Sequence, residues 1–278
     1  MSTPFFTIIT ATFNAGATLP RLLDSLAAQT CRDFELVIQD GASSDNTLEI
    51  VEAYKERLPA VSIGSESDAG IYDAWNKALP RIRGQWVIFL GADDALLNAE
   101  TLANVYKKAV ELPDSVTFAA GDVVIFDDAT DISLQYGLDE NALARLRAGE
   151  SAVHSGLFQR SSVFRQGGFD ARYAVSGDHD FVLSHWQKPS DGIRLGIPVT
   201  RMAIGGTTSS LHNVFRFRCE FARVMKKHFG FKVALACLPG IIKGVVPYIL
   251  SRVLAPERAL AVYNTLRNVR KLPSAHIK

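Results

Sequence analysis

Residues 85–90, Gln-Trp-Val-Ile-Phe-Leu, run abruptly into Gly91-Ala92-Asp93-Asp94. The run is aromatic and β-branched and has no polar alternation, so it predicts a strand buried on both faces. A strand of that kind belongs inside an α/β sheet covered by helices, which leaves the two acids at its carboxyl end. In an open α/β sheet that edge is where ligands bind, and a carboxylate pair there can hold a hard divalent cation against a diphosphate. A single Asp after a strand serves equally well as the cap of the next helix.

The neighbouring sequence repeats the pattern. Phe5 to Thr10 reads as a strand, and Leu19, Leu22, Leu23, Leu26 and Ala27 mark one face of a helix that Thr18 could cap. Phe34 to Gln39 is the next strand, followed by a polar loop, residues 40–46, and a helix carrying Leu48, Val51 and Tyr54. Val61 to Gly64 is a weaker third strand, and residues 71–80 form a short helix. Strands alternating with helices across short loops predict a doubly wound, mostly parallel sheet. Val116 to Phe126 adds further strands, and the stretch from 131 to about 200 reads as a second half built onto the same sheet.

A chain of 278 residues, 47% of them apolar and 21% charged, is long enough to bury a full core. The net charge of +1 hides a basic segment from Arg201 onward. No basic run is interleaved with stacking aromatics, so nucleic acid is not an expected partner. Cys31, Cys219 and Cys237 lie far apart without CxxC spacing, which points to a reducing, cytoplasmic compartment. The first residues lack the basic and apolar regions of a signal peptide.

Three acidic loops follow successive predicted strands: Asp40 after the second, Asp68 after the third, Asp93 and Asp94 after the fourth. On one sheet edge they converge on one crevice. No GxGxxG follows the first strand and no GxxxxGK[ST] occurs, so the backbone cradles of dinucleotide and P-loop sites are missing. A metal ion held by carboxylates can neutralise phosphate charge in their place.

In this order and spacing the chain resembles the inverting family 2 glycosyltransferases. The resemblance rests on Thr7-Ile-Ile-Thr-Ala-Thr-Phe-Asn14, on Phe34-Glu-Leu-Val-Ile-Gln-Asp-Gly-Ala-Ser-Ser-Asp-Asn-Thr47, on Ser65 to Lys77, on Val87 to Asp94, and on Gly167-Gly-Phe-Asp170 followed by Ser176-Gly-Asp-His-Asp-Phe181. It implies the GT-A nucleotide-diphospho-sugar transferase fold, with a Rossmann-like central sheet and a helical C-terminal extension. The expected division is a catalytic domain over 1–215, split into a nucleotide-sugar half (1–130) and an acceptor half (131–215), with the extension over 216–278.

The resemblance also implies roles. Thr10 and Ala11 would lie against the nucleotide base, Asp40 would accept from its imide nitrogen, and Asp68 would lie near base or ribose. Asp93, helped by Asp94, would coordinate Mg²⁺ or Mn²⁺ on the diphosphate of a UDP-sugar. The family's usual Asp-x-Asp has Gly91 at its first position here. Asp178 matches the family's base, which takes the acceptor hydroxyl's proton opposite the leaving diphosphate so that no covalent intermediate is needed. Asp178 also reads as a helix-capping acid.

Weaker candidates are His154 and Asp180 for the acceptor, His212 with Arg216 and Arg218 for a phosphate, and Tyr72 with Trp75 for stacking, although aromatics at helical spacing are commonly core. The apolar segment 232–254 is interrupted by Pro239, Pro247 and Lys243. It reads as an interfacial segment on the inner face of the cytoplasmic membrane or as a buried helical hairpin, not as a span. The expected acceptor is a glycan or a lipid-linked oligosaccharide. A nucleotidyltransferase and a non-catalytic sugar-binding module are the rival readings; the first lacks its glycine-rich amino-terminal loop, and the second has no use for Asp178.

Overall fold

The computed structural model describes residues 3–127, 132–138, 141–148, 153–203 and 211–254, together with 258, 259 and 262. Four strands, β1 (Phe6–Thr12), β2 (Phe34–Asp40), β3 (Val61–Ser65) and β4 (Trp86–Phe89), alternate with α1 (Leu19–Ala27), α2 (Thr47–Tyr54) and α3 (Ile71–Ala78). All four strands are parallel, in the order β3-β2-β1-β4. Their carboxyl ends therefore share one edge, and the order reverses between β1 and β4, where open α/β sheets bind ligands.

Every residue of β4 is buried, as its unbroken apolar run demands. Leu19, Leu22, Leu23 and Leu26 turn one face of α1 into the core, where they meet Phe6, Ile8, Phe34, Leu36 and Trp86. Each such side chain, fully buried, contributes about 1.5–3 kcal/mol. Thr18 stands at the cap position of α1 without capping it, because its hydroxyl donates to the Ala15 carbonyl instead.

The remaining strands are β5 (Ala95–Leu96), β6 (Phe118–Asp127), β7 (Ile132–Tyr136), β8 (Leu157–Arg160) and β9 (Gly192–Ala203), with α4 (Thr101–Ala109) and α5 (Ala142–Ala148) between them. They extend the sheet as β4-β8-β6-β9-β5, with β7 beside β6. Antiparallel pairing of β8 to both β4 and β6 joins the second half to the first. The expected strands over Val116 to Phe126 are one long strand.

The chain divides into two compact units, residues 1–171 with 181–203 and residues 172–180 with 204–278. The segment carrying Asp178 belongs to the second unit, with the carboxyl-terminal helices. The second unit holds α7 (Leu211–Phe229), α8 (Phe231–Ala236) and α9 (Leu238–Val253), while α6 (Gly177–His185) begins in it and ends in the first. Within the second unit α9 packs on α7. A Cβ on Gly244 would stand 3.2 Å from the Phe215 Cα, Pro247 is buried, and the Phe215 and Tyr248 rings lie 5.1 Å apart. Among the described residues no helix is long and apolar enough to cross a membrane.

Candidate functional site

In the first unit, Asp40 ends β2 and is wholly buried. Its carboxylate accepts from the Thr12 hydroxyl at 2.9 Å, the Ser43 hydroxyl at 2.5 Å, the Ser43 amide at 2.9 Å and the Ser65 hydroxyl at 2.9 Å. Burial alone raises its pKa, and the bonds from Ser43, Ser65 and Thr12 outweigh burial and hold it below the usual carboxylate range. Asp40 thus knits the ends of β1, β2 and β3 into one platform. To meet a base it would have to exchange a hydroxyl partner for the base's imide.

The loops after β1 and β2 are strained as well as bonded. Asn14 and Ala42 hold φ of 48° and 61°, a region that costs side chains roughly 1–2 kcal/mol. The Ser43 hydroxyl accepts the Asn14 amide at 2.8 Å, and the Asn14 side-chain oxygen accepts the Ser44 amide at 2.9 Å. Asp68 lies against the same loop. A Cβ on Gly41 would come within 2.5 Å of an Asp68 carboxylate oxygen, so a side chain there would push the Asp68 carboxylate aside. Asp68 also accepts from the Gly70 amide at 2.9 Å.

Phe13 completes this corner and was not singled out from sequence. Its ring would touch a Cβ at Gly41, and it is 68% exposed, an unusual position for a Phe among carboxylates. Thr10 is buried with its hydroxyl unpartnered, while Ala11 is partly exposed.

After β4, the two adjacent acids separate in role. Asp94 is buried, and its carboxylate accepts from the Gly91 amide at 2.8 Å. Burial pushes its pKa up to about 7; the Gly91 bond opposes this, the neighbouring Asp93 adds to it and Arg21 opposes it. The Asp94 carboxylate thus closes its own loop through the Gly91 amide. Asp93 stays partly exposed, and Arg21 donates to its backbone carbonyl. A Cβ on Gly91 would fall 2.7 Å from an Asp93 carboxylate oxygen and 3.2 Å from one of Asp94. A side chain at 91 would thus displace the Asp93 carboxylate from the place it occupies beside Gly91.

Among the described residues no group of three or more His, Cys, Asp or Glu gathers as a metal cage. Mg²⁺ is commonly held by one or two carboxylates with the substrate's phosphates completing its shell. One accessible carboxylate, Asp93, fits that mode and no closed protein site.

His154 is buried between Trp75, stacked at 5.0 Å, and Phe89 at 5.2 Å, and burial depresses its pKa to about 3. Tyr72 and Trp75 belong to the same buried aromatic cluster with Phe169.

In the second unit, Asp178 sits in the first turn of α6, half-buried, and one carboxylate oxygen accepts from the His179 amide at 2.8 Å. Asp180 is buried, and its oxygens accept from Lys227 Nζ at 2.7 Å and His228 Nε2 at 2.9 Å. Burial raises its pKa, but His228 and Lys227 prevail and keep it ionised. Glu220 of α7, also buried, accepts from three successive amides, Ala174 and Val175 at 3.0 and 2.8 Å and Ser176 at 3.2 Å. Asp178 is thereby flanked by two anchors on α7, and Glu220 was missed from sequence because it lies 44 residues beyond Ser176. Arg216 pairs with Glu220 at 3.2 Å. The side chain of His212 lies outside the described residues.

The model of the family described as Glycosyl transferase family 2 matches residues 7–165, more than half of the chain. The chain belongs to glycosyltransferase family 2. As a member it is a transferase enzyme with the GT-A fold. A PGL/p-HBAD biosynthesis glycosyltransferase of Mycobacterium bovis is 38% identical over 192 residues, 68% of this chain and 73% of that protein. Among solved structures, S. aureus TarS 1–349 in complex with UDP-GlcNAc covers 96% of this family 2 chain and 81% of its own at 18% identity and a TM-score of 0.59. Mannosyltransferase PcManGT from Pyrobaculum calidifontis, in complex with GDP-Man and Mn²⁺, has the same coverage and TM-score at 19% identity. At such identities the two structures speak for the fold alone.

Proposed function

We propose that this family 2 transferase moves a sugar from a nucleotide diphosphate, a UDP-sugar foremost, to a glycan or lipid-linked acceptor with inversion. The observation that carries the reading is the corner where Phe13, Asp40 and Asp68 meet at the carboxyl edge, with Asp93 at the end of β4. An exposed aromatic ring beside hydrogen-bond acceptors suits a planar base with an imide edge. Thr10 and Ala11 would floor that position, Asp40 and Asp68 would hold base and ribose, and Asp93 would face the diphosphate. TarS and PcManGT, similar to this chain in fold, were solved in complex with UDP-GlcNAc and GDP-Man, and the reading takes a ligand of that class as the donor.

Asp93 is the residue that would hold Mg²⁺ or Mn²⁺, and the ion, when bound, would offset charge developing on the leaving diphosphate. Asp178 is the base in this reading. Its partial exposure and its anchored backbone suit a carboxylate that must accept one proton from an acceptor hydroxyl. In this reading the protein works in the cytoplasm, in peripheral contact with the inner face of the membrane through 232–254.

The test is a set of UDP- and GDP-sugars offered with Mn²⁺ or Mg²⁺, scored for release of nucleotide diphosphate and for the anomeric configuration of the product. Release with one donor class and an inverted product are expected. A retained configuration would remove the single-base mechanism.

A further inference from the structure

The face of α9 that does not pack on α7 carries a continuous apolar stripe. Phe231, Leu235, Leu238, Ile242, Val246, Ile249 and Val253 recur every three or four residues along α8 and α9, and each is between 46% and 75% exposed. Cys237, between the two helices, keeps helical dihedrals (φ −78°, ψ −13°), so the stripe continues across the junction. Isolated exposed apolar side chains are ordinary, but a contiguous row marks an interaction surface.

Charge selects the occupant. Residues 211–254 contain eight Lys or Arg and a single acid, Glu220, which is buried against the Ala174 to Ser176 amides. Arg223, Lys226, Lys232, Lys243 and Arg252 are all exposed, and the Lys226 ammonium lies over the Phe231 ring at 5.9 Å. A second copy docked by two-fold symmetry would bring the same basic rim against itself. An anionic lipid surface takes the apolar row into its acyl boundary and the basic rim at its headgroups, while the helices are too short and interrupted to span.

We infer that the α8–α9 stripe docks in the interface of a bilayer containing anionic lipid. The inference rests on the peripheral-membrane reading above and names the face and the lipid class that would serve it.

The purified full chain is sedimented with phosphatidylcholine vesicles, with and without phosphatidylglycerol, at low and high salt. It is compared with a Leu235→Glu/Ile242→Glu/Ile249→Glu variant and a Lys232→Glu/Lys243→Glu variant. Nucleotide diphosphate release without vesicles and mass by light scattering are measured in parallel. The wild type is expected to bind the phosphatidylglycerol vesicles and to release from them at high salt. The first variant should bind on the order of tenfold or more weakly, and the second should lose its preference for phosphatidylglycerol, both with donor hydrolysis unchanged. If both variants bind like the wild type, the stripe is not the docking face, although peripheral binding stands. A wild type that ignores vesicles sinks both, and a first variant that alone turns from dimer to monomer assigns the stripe to a second copy. Loss of donor hydrolysis with vesicle binding intact strikes the catalytic reading alone.

Discussion

At the scale of single residues, adjacent carboxylates behave differently because one is buried. Asp94 spends its oxygen on the Gly91 amide while Asp93 stays accessible, so Asp93→Ala is expected to lower turnover by roughly 10² or more and to abolish the response to added Mn²⁺. Activity unchanged by the substitution, or full activity in excess chelator, would refute the metal role. Asp178→Asn keeps size and hydrogen bonding but not basicity, so transfer should drop about 10²- to 10⁴-fold. Donor affinity, read by calorimetry with the nucleotide sugar, should stay at the wild-type value. His154 adds a pH effect. Its folded pKa of about 3 lies below the 6.5 of the unfolded chain, so between those values only the unfolded chain takes up the proton. Its share of stability is full above 6.5 and is lost as pH falls, by about 1.4 kcal/mol per pH unit. His154→Phe should flatten that slope in urea unfolding at pH 7 and pH 5.5.

At the scale of elements, α7 holds the start of α6 at two points, Glu220 on the amides before Asp178 and Lys227 with His228 on Asp180. Glu220→Ala leaves the buried Ser176 amide and the part-buried Ala174 and Val175 amides without this acceptor, a cost of about 1–3 kcal/mol for each that water cannot reach. The expected outcome is a lower kcat with an unchanged donor KM, and partial recovery in Glu220→Gln, whose carbonyl oxygen still accepts. Equal loss in both variants together with a raised donor KM would point to general disruption. Local pattern could not reveal this clamp. Helical periodicity marks which face of α7 is apolar, but the partner of a buried acid is set by a segment more than forty residues away.

For the whole molecule, the arrangement of four parallel strands with acids at their ends puts short, separated motifs on one edge, where they can serve one chemistry. Chain order places Asp40, Asp68 and Asp93 far apart, and the order β3-β2-β1-β4 brings their strand ends to a common edge. The stripe on α8 and α9 belongs to this scale too, since only packing against α7 decides which apolar residues of 231–253 are inside and which face out.

The sequence by itself determined the alternation of strands and helices, the buried strand at Trp86–Phe89, the acids at the strand ends and the family. Those properties follow from local periodicity and from which residue types can end a strand, and neither depends on distant partners. Tertiary structure alone decided that Asp40 is saturated by Thr12, Ser43 and Ser65, that Asp94 closes its loop while Asp93 does not, and that His154 is neutral and enclosed. It also decided that Phe13 is exposed and that Glu220 reaches the loop before Asp178. Each of these depends on burial and on which donors arrive from elsewhere in the chain, and a carboxylate or imidazole acquires its chemistry from those neighbours.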